Sequence, residues 1–436
     1  MSSDGSTEVA SRRHVSTREA AFIGVGAMVG AGIFSLLGTA GEVAGTAVWL
    51  SFVLAGIIAA LQGYSFGKLG AIFPSGGGLL EYVNRGYGPG HIATVTAWLT
   101  YAANAIVTAM VAVSFGSYAS AAFTNDDPTA AKLFAVVLVA AMTMLNIAGS
   151  SIVARVQSVI VFVVVGILAF FAVVTMLNAD FSRLAPSGYP SVRDIVSSVA
   201  LTFFAFLGFG VVTFTAKDLA DPPRQLPRAM AIAIGLATAV YVSVSLGVFG
   251  TMSVPDIIAA GPTAIAVAAQ PILGDAGFWL MVVTALFATA GATNAGLYPA
   301  TGLTEHLAET GQFPTIMGQR LGGRAPVGLL VVAVVVVVMV VFFDLSAIAS
   351  IGSAVALMIF ALVTAGHLRI RAETGARLSL LVLALATTGV TLLTFIFTTL
   401  IQEPSSIVTL LVILAASVAL DVGWARVRSG RTAATG

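Results

Sequence analysis

Cysteine is absent from the 436-residue sequence, and charge is scarce: 9% of residues are Asp, Glu, Lys or Arg, against 58% hydrophobic. Without cysteine there is no disulfide framework, no thiol nucleophile and no cysteine-based metal site. A soluble globular domain carries about 25% charged residues, so this chain has almost nothing with which to coat a water-facing surface. Its mean hydropathy is +1.01. Histidine is sparse too. The four histidines (14, 91, 306 and 367) all read as lying at span ends or in loops, and no His/Glu cluster has metal-ligand spacing. Neither a Ser/Lys pair nor paired Asp residues fall inside the apolar runs, where each charged group would cost roughly 2.5–3.5 kcal/mol on insertion scales. An intramembrane enzyme is therefore disfavoured, with no catalytic residue, cofactor or metal expected. No ring-forming charged or repeated filter motif argues for a channel. The net charge of +1 gives no argument for a nucleic-acid partner.

What the sequence does have is a succession of apolar runs about 20 residues long, the length a helix needs to cross a bilayer. Barrel strands would instead alternate over about ten residues. The expected fold class is an all-α integral membrane protein with the lipid bilayer as its solvent. Spans read at 19–41, 47–73, 92–123, 131–149, 153–177, 193–217, 229–251, 277–306, 327–343, 345–366, 378–399 and 405–424, twelve in all. An even count puts both termini on one side. With that side cytosolic, 17 of the 20 Lys and Arg residues fall inside and only Lys132, Arg183 and Arg193 outside, the bias that the positive-inside rule describes. Residues 1–18 and 425–436 then read as cytosolic tails of a multi-pass plasma-membrane protein, and 19–424 as its transmembrane domain.

Glycines cluster in the first span, at 24, 26, 30 and 32 within Gly24–Phe34. Glycine weakens a helix interior by about 1 kcal/mol relative to alanine and opens the backbone to a ligand. A lone small-xxx-small pattern reads as close helix packing. The sixth span, however, has its own glycines at 208 and 210 in an aromatic-rich stretch. Paired interruptions in corresponding spans of two repeats mark the substrate site of many secondary transporters. Gly26, Gly30 and Gly210 are accordingly expected as helix-break glycines. Free N–H groups at one broken end suit a carboxylate, and freed carbonyls suit an ammonium group. A site with both and no charged side chain fits a zwitterionic amino acid.

Three stretches carry a family resemblance. Gly26–Phe34 (GAMVGAGIF) resembles the first-helix signature of the amino acid–polyamine–organocation (APC) superfamily. Phe73–Val83 (FPSGGGLLEYV) resembles the loop after its second helix, and Ala220–Arg228 (ADPPRQLPR) the Asn-Pro-x-Arg-x-x-Pro stretch after its sixth. Their spacing extends the resemblance over at least 19–310. It implies a LeuT-like fold of two inverted five-helix repeats (19–177 and 193–368) with helices 1 and 6 broken, plus two further helices (378–424). It also implies a permease that works by alternating access. Carried over by motif, the N–H groups of Ala31 and Gly32 would hold the substrate carboxylate. The carbonyls of Met28, Phe204 and Leu207 would take the α-amino group beside Gly208, and Phe204 would stand as an aromatic gate.

The sequence departs from the pattern in three places. Gly210 stands where family members often carry an acidic residue. Val164 stands where many carry a fifth-helix lysine. The eighth helix ends Ala308-Glu-Thr-Gly311 without the usual arginine. Gly26, Val29, Thr289 and Thr293 form a candidate ion site, although helical threonines often bond back to their own helix. Proton coupling, sodium coupling, uncoupled exchange or facilitation, and a non-transporting amino acid sensor all stay open, and a neutral substrate is weakly favoured. Lys68 reads as an interfacial lysine, Glu42, Asp344 and Glu403 as helix caps, and Glu305 and His306 as a polar span end.

Overall fold

A backbone in lipid must satisfy its own hydrogen bonds, and almost the whole chain does so as helix. A computed structural model describes residues 15–75, 78–148, 151–402 and 404–434. In chain order the helices are α1 (Thr17–Ala31), α2 (Ile33–Ala44), α3 (Val48–Ile72), α4 (Leu79–Tyr87), α5 (His91–Phe123), α6 (Pro128–Ala148), α7 (Ser151–Leu177) and α8 (Val192–Phe204). A 3₁₀ segment, Leu207–Asp218, follows. Then come α9 (Pro222–Thr251), α10 (Val254–Ala260), α11 (Ala264–Glu309), α12 (Val327–Phe342), α13 (Leu345–Arg369), α14 (Arg371–Thr374), α15 (Leu378–Thr398) and α16 (Pro404–Ala434). A two-residue hairpin, β1 (Arg320–Leu321) against β2 (Ala325–Pro326), sits in the loop between α11 and α12.

Local chemistry sets the boundaries. Ser16 and Glu19 form a reciprocal capping box at the start of α1, with Glu19 N–H to Ser16 Oγ at 3.2 Å and Ser16 N–H to Glu19 Oε2 at 2.8 Å. Such caps stabilise a helix by about 1 kcal/mol. Asp344 caps α13 by accepting from Ala347 N–H at 2.8 Å, as its sequence position suggests. Pro222 and Pro223 open α9, where the missing N–H costs nothing. Gly274, at φ 66°, turns the chain within Ala264–Glu309, so that the long span proper runs over 275–309.

Among the described residues, ten stretches are long and apolar enough to cross a membrane. Twelve were expected from the sequence. The difference arises where Ile33–Ile72 runs through α2 and α3 as one stretch, and where Val327–Phe342 falls short as a 16-residue helix. Of the stretch Phe73–Val83, expected as a loop, the part from Leu79 onward belongs to the helix α4. Glu403 lies outside the described residues.

The broken first span lies at the centre. α1 packs against α9, α7, α11 and the 3₁₀ segment, and α3 packs along α8 and α9. On the other side α5 packs against α6, α11, α12 and α13. Glycine permits the closest of these approaches. A Cβ at Gly24 would lie 2.5 Å from Val212 Cγ2, and one at Gly26 2.5 Å from Val161 Cγ2.

Candidate functional site

Two helices lose their ladder beside one another. In the first span the α-helical bonds end with Gly32 N–H donating to the Met28 carbonyl at 2.8 Å. They resume with Ser35 and Leu36 N–H donating to the Gly32 carbonyl at 3.2 and 3.0 Å. Helix ends leave carbonyls on one side and N–H groups on the other without a ladder partner. Here the two ends meet at Gly32, which caps both α1 and α2. In the sixth span α8 stops at Phe204. Ala205 and Phe206 N–H then turn to the i−3 carbonyls of Thr202 and Phe203, at 3.1 and 2.9 Å. The 3₁₀ run that follows is 12 residues long, whereas such runs seldom exceed 3–4 residues, and long ones mark hinges or strain.

The two interruptions cross each other. A Cβ on Gly208 would lie 2.5 Å from both Ala27 C and Met28 N, so only glycine lets the 3₁₀ segment touch the α1 backbone. Gly32 faces the hydroxyl of Tyr241 on α9, and a Cβ there would also lie 2.8 Å from Ala205 Cβ and 2.9 Å from the Met28 oxygen. Tyr241 is fully buried and donates its hydroxyl to the Ala205 carbonyl at 3.0 Å. Its ring is flanked by Phe52 and Phe206, at centroid separations of 5.3 and 5.1 Å. One tyrosine thus braces both interruptions. Sequence reasoning missed it, and the one available signal was a phenol in an otherwise apolar run. The Phe204 ring is buried against Gly352 of α13 and Ile106 of α5, where a side chain at position 352 would displace it.

The site is asymmetric in exposure. On the α2 side, residues 33–41 are all buried, and Gly38 meets the Gly261 backbone directly. On the other side Gly26, Ala27, Leu207, Gly208 and Gly210 are half-exposed, and open space faces Gly210.

The structure sets Gly208, next to Leu207 in the chain, against Met28, and Gly32 against Ala205, which follows Phe204, with Ala31 ending α1. Three expectations need correction. Gly26 and Gly30 lie within regular helix, and Gly210 within the 3₁₀ run, so the first interruption falls at Gly32 and the second at Ala205–Phe206. Gly30 instead lets α1 approach α11, since a Cβ there would lie 2.8 Å from the Ala288 oxygen. The Gly32 N–H, expected free for a carboxylate, is held by the Met28 carbonyl. Thr289 and Thr293, expected to offer hydroxyls beside Gly26 and Val29, are each buried with the hydroxyl hydrogen bonded back to their own helix. Thr289 Oγ1 donates to the Ala285 oxygen at 2.6 Å, and Thr293 Oγ1 to the Thr289 oxygen at 2.9 Å.

A small gap does exist beside Gly26 and Val29. It encloses about 10 Å³, room for roughly one water, and Gly30, Val161, Val164 and Ala288 complete much of its wall. Valines fill the α7 side, and Ala288 and Gly291 rather than the threonines face it from α11. Of the other polar candidates, Glu305 pairs with Arg320 of the hairpin at 2.9 Å, and His91 with Asp421 of α16 at 2.5 Å. His367, expected at a polar span end, is fully buried. No group of three or more metal-ligating side chains occurs among the described residues.

The family described as "Amino acid permease" matches residues 15–422. The chain is 31% identical over 344 residues to the inner membrane transport protein YbaT of Escherichia coli (strain K12), covering 78% of this chain and 80% of that protein. It is 24% identical over 323 residues to the methylthioribose transporter of Bacillus subtilis (strain 168), covering 70% and 69%. It is 25% identical over 330 residues to the Asc-type amino acid transporter 1 of Mus musculus, covering 72% and 61%.

Proposed function

The chain belongs to the amino acid permease family, whose members are membrane transporters rather than enzymes, and on that premise we propose that it carries an amino acid across the plasma membrane by alternating access. The observation that carries the proposal is the crossing of two interrupted spans, with Gly208 seated on the Ala27–Met28 backbone. That crossing exposes backbone donors and acceptors where no charged side chain stands, and a zwitterion needs both.

Twelve spans in two inverted repeats are supported by the pattern of packing. Exchanging the first five spans with the next five turns each of several contacts into another. The pair α1–α9 becomes α8–α3, α5–α6 becomes α11–α12, and α1–α7 becomes α8–α13. Likewise α5–α13 becomes α11–α7, and α6–α11 becomes α12–α5. Together with the 17-to-3 split of basic residues, this favours repeats over 19–177 and 193–368, extra helices over 378–424, and both termini in the cytosol. On that orientation the buried α2 side faces outward and the half-exposed α1 side faces the cytosol.

On this reading Met28, Ala31, Gly32, Phe204, Leu207 and Gly208 hold the substrate. The bond between Gly32 N–H and the Met28 carbonyl opens when the zwitterion enters. One event thereby frees a donor for the carboxylate, at the positive end of α2, and an acceptor for the ammonium group. Uptake of a labelled amino acid panel into proteoliposomes, with proton and sodium gradients imposed separately, tests the proposal.

A second reading, exchange or facilitated diffusion without a coupling ion, draws on the gap beside Val164. Its wall on the α7 side is aliphatic, and Thr289 and Thr293 are not among the residues that line it. A cation entering there would meet no charged side chain in the lining. Equal uptake with and without each gradient would favour this reading.

A further inference from the structure

His367, one of four histidines in the chain, closes a chain of buried polar groups between α3, α13, α14 and α15. Gln62 Nε2 donates to Thr388 Oγ1 at 2.8 Å, and Thr364 Oγ1 donates to Gln62 Oε1 at 2.6 Å. One turn further along, His367 Nδ1 lies 2.8 Å from Ser65 Oγ, and its Nε2 lies 2.8 Å from Thr374 Oγ1. Gln62, Ser65, Thr364, His367 and Thr388 have no exposed surface. The glutamine and its threonines are what polar adhesion between helices in lipid requires. The histidine adds something that adhesion does not need.

The hydroxyl hydrogen of Thr374 is committed to the Arg371 carbonyl at 3.1 Å. With that hydrogen so placed, Thr374 Oγ1 accepts from the ring, and the imidazole hydrogen sits on Nε2. Nδ1 is then a bare acceptor, and Ser65 donates to it. The pair of bonds fits a neutral ring. A proton on Nδ1 would force the Ser65 hydroxyl to turn from donor to acceptor and would put a charge into a site without exposed surface.

The charged groups on the surrounding elements offer no relief. Lys68, three residues after Ser65 on α3, acts on the ring electrostatically. The other charged residues near these positions in the chain are Arg369 on α13, Arg371 and Glu373 on α14, and Arg377 ahead of α15. On α4, which meets α13 at Gly86 and Gly366, Arg85 is paired with Glu81, and Tyr82 and Tyr87 carry the remaining titratable groups. Of these, Arg369 lies over the Tyr87 ring at 4.6 Å.

We propose that His367 is a proton-binding switch: the neutral ring clasps α3 to α13 and α14, and a proton from the cytosolic face releases the clasp. The location gives the release a consequence. α3 packs with α8 and α9, and α13 packs with α5 as well as with α8. The clasp therefore ties together two helices that both flank the interrupted α8, which must shift in alternating access, so this inference rests on the transport reading. Once the junction opens, the ring meets water, where an imidazole takes up a proton near about pH 6.5. Acid on that face therefore favours the opened junction, and the clasp holds above that range.

The test uses the full-length chain in lipid nanodiscs with ¹⁵N-labelled histidine, the signal missing from His367→Gln giving the assignment. Near about pH 8 we expect a neutral ring with its hydrogen on Nε2, and below about pH 6.5 a growing protonated signal. The melting temperature should fall over the same range in the wild type. It should not do so in His367→Gln, which keeps a donor toward Thr374 and cannot gain charge. Ser65→Ala, which removes the donor to Nδ1, should let the ring protonate at higher pH and provides a second variant if the glutamine chain does not fold. A ring that stays neutral down to about pH 5, or one with its hydrogen on Nδ1, overturns the proposal, as does equal acid sensitivity of melting in wild type and His367→Gln. In proteoliposomes, acid on the cytosolic face should change wild-type amino acid exchange several-fold and leave His367→Gln unchanged. Matching pH profiles would overturn the switch. A wild type that exchanges no amino acid at any pH would count against transport alone, and the resonance and melting measurements would still decide the clasp.

Discussion

Replacing Gly32 by alanine adds one carbon where the structure has no room for it. The new Cβ would overlap the Tyr241 hydroxyl and lie 2.8 Å from Ala205 Cβ and 2.9 Å from the Met28 oxygen. Neither backbone can retreat, because Gly208 pins the 3₁₀ segment to α1, so Tyr241 must give way. Overpacking of this kind costs about 1–3 kcal/mol, and losing the Tyr241–Ala205 hydrogen bond costs about 1 kcal/mol more. The melting temperature should fall accordingly. Affinity should fall as well, because the displaced brace lets both interruptions drift. We expect at least about a tenfold loss, or roughly 1.4 kcal/mol. A double-mutant cycle separates the contributions: Tyr241→Phe removes the obstructing oxygen, so Gly32→Ala should cost less in that background, with a coupling of about 0.5–3 kcal/mol. The assay pairs thermal unfolding with substrate-induced stabilisation. A Gly32→Ala protein that melts early yet binds its amino acid with unchanged affinity would refute the placement of substrate at Gly32. Unchanged melting would refute the packing argument.

Gly208→Ala meets backbone rather than a side chain, at 2.5 Å from Ala27 C and Met28 N; it should destabilise by more than about 2 kcal/mol and abolish uptake, and normal uptake would show that the crossing is dispensable. Val164→Lys puts an ammonium group beside Gly26 and Val29 in a gap walled by valines; uptake should fall or change its pH and sodium response, and an unaltered profile would show that the gap is unconnected to transport. Cysteines introduced at Ser3 and Ala434 into this cysteine-free chain should resist an impermeant thiol reagent in intact cells, and labelling of either would contradict the proposed orientation.

Much of this architecture is readable from residues. The apolar runs locate the helices because spanning length and hydropathy are local properties. Gly32 is findable because a helix in lipid has few reasons to accept four glycines within nine residues. The sixth span misleads for a physical reason. Its glycines at 208 and 210 look like the interruption, yet α8 already ends at Phe204, and Gly208 serves contact with α1. Glycine marks either a break or a close approach, and only the neighbouring backbone tells which. The threonine pair fails by register: Thr289 and Thr293 do share a helix face, but Ala288 and Gly291 are the residues turned toward the gap. Tyr241 and His367 were invisible as site residues because their roles depend on which helices they join. Tyr241 touches residues 36 and 209 positions away, and His367 bonds a serine 302 positions back. No local pattern encodes such pairings.

The central claim is that substrate crosses the membrane by way of the paired interruptions. Counterflow in proteoliposomes measures this most directly. Vesicles loaded with one unlabelled amino acid at a time are diluted into a trace of the same labelled compound, with the wild type and Gly208→Ala compared at matched protein content. The account predicts transient accumulation of label for at least one amino acid in the wild type, saturable and absent from the variant. Specific binding of an amino acid by the wild type with no accumulation of any member of the panel would contradict it and identify a receptor that does not transport.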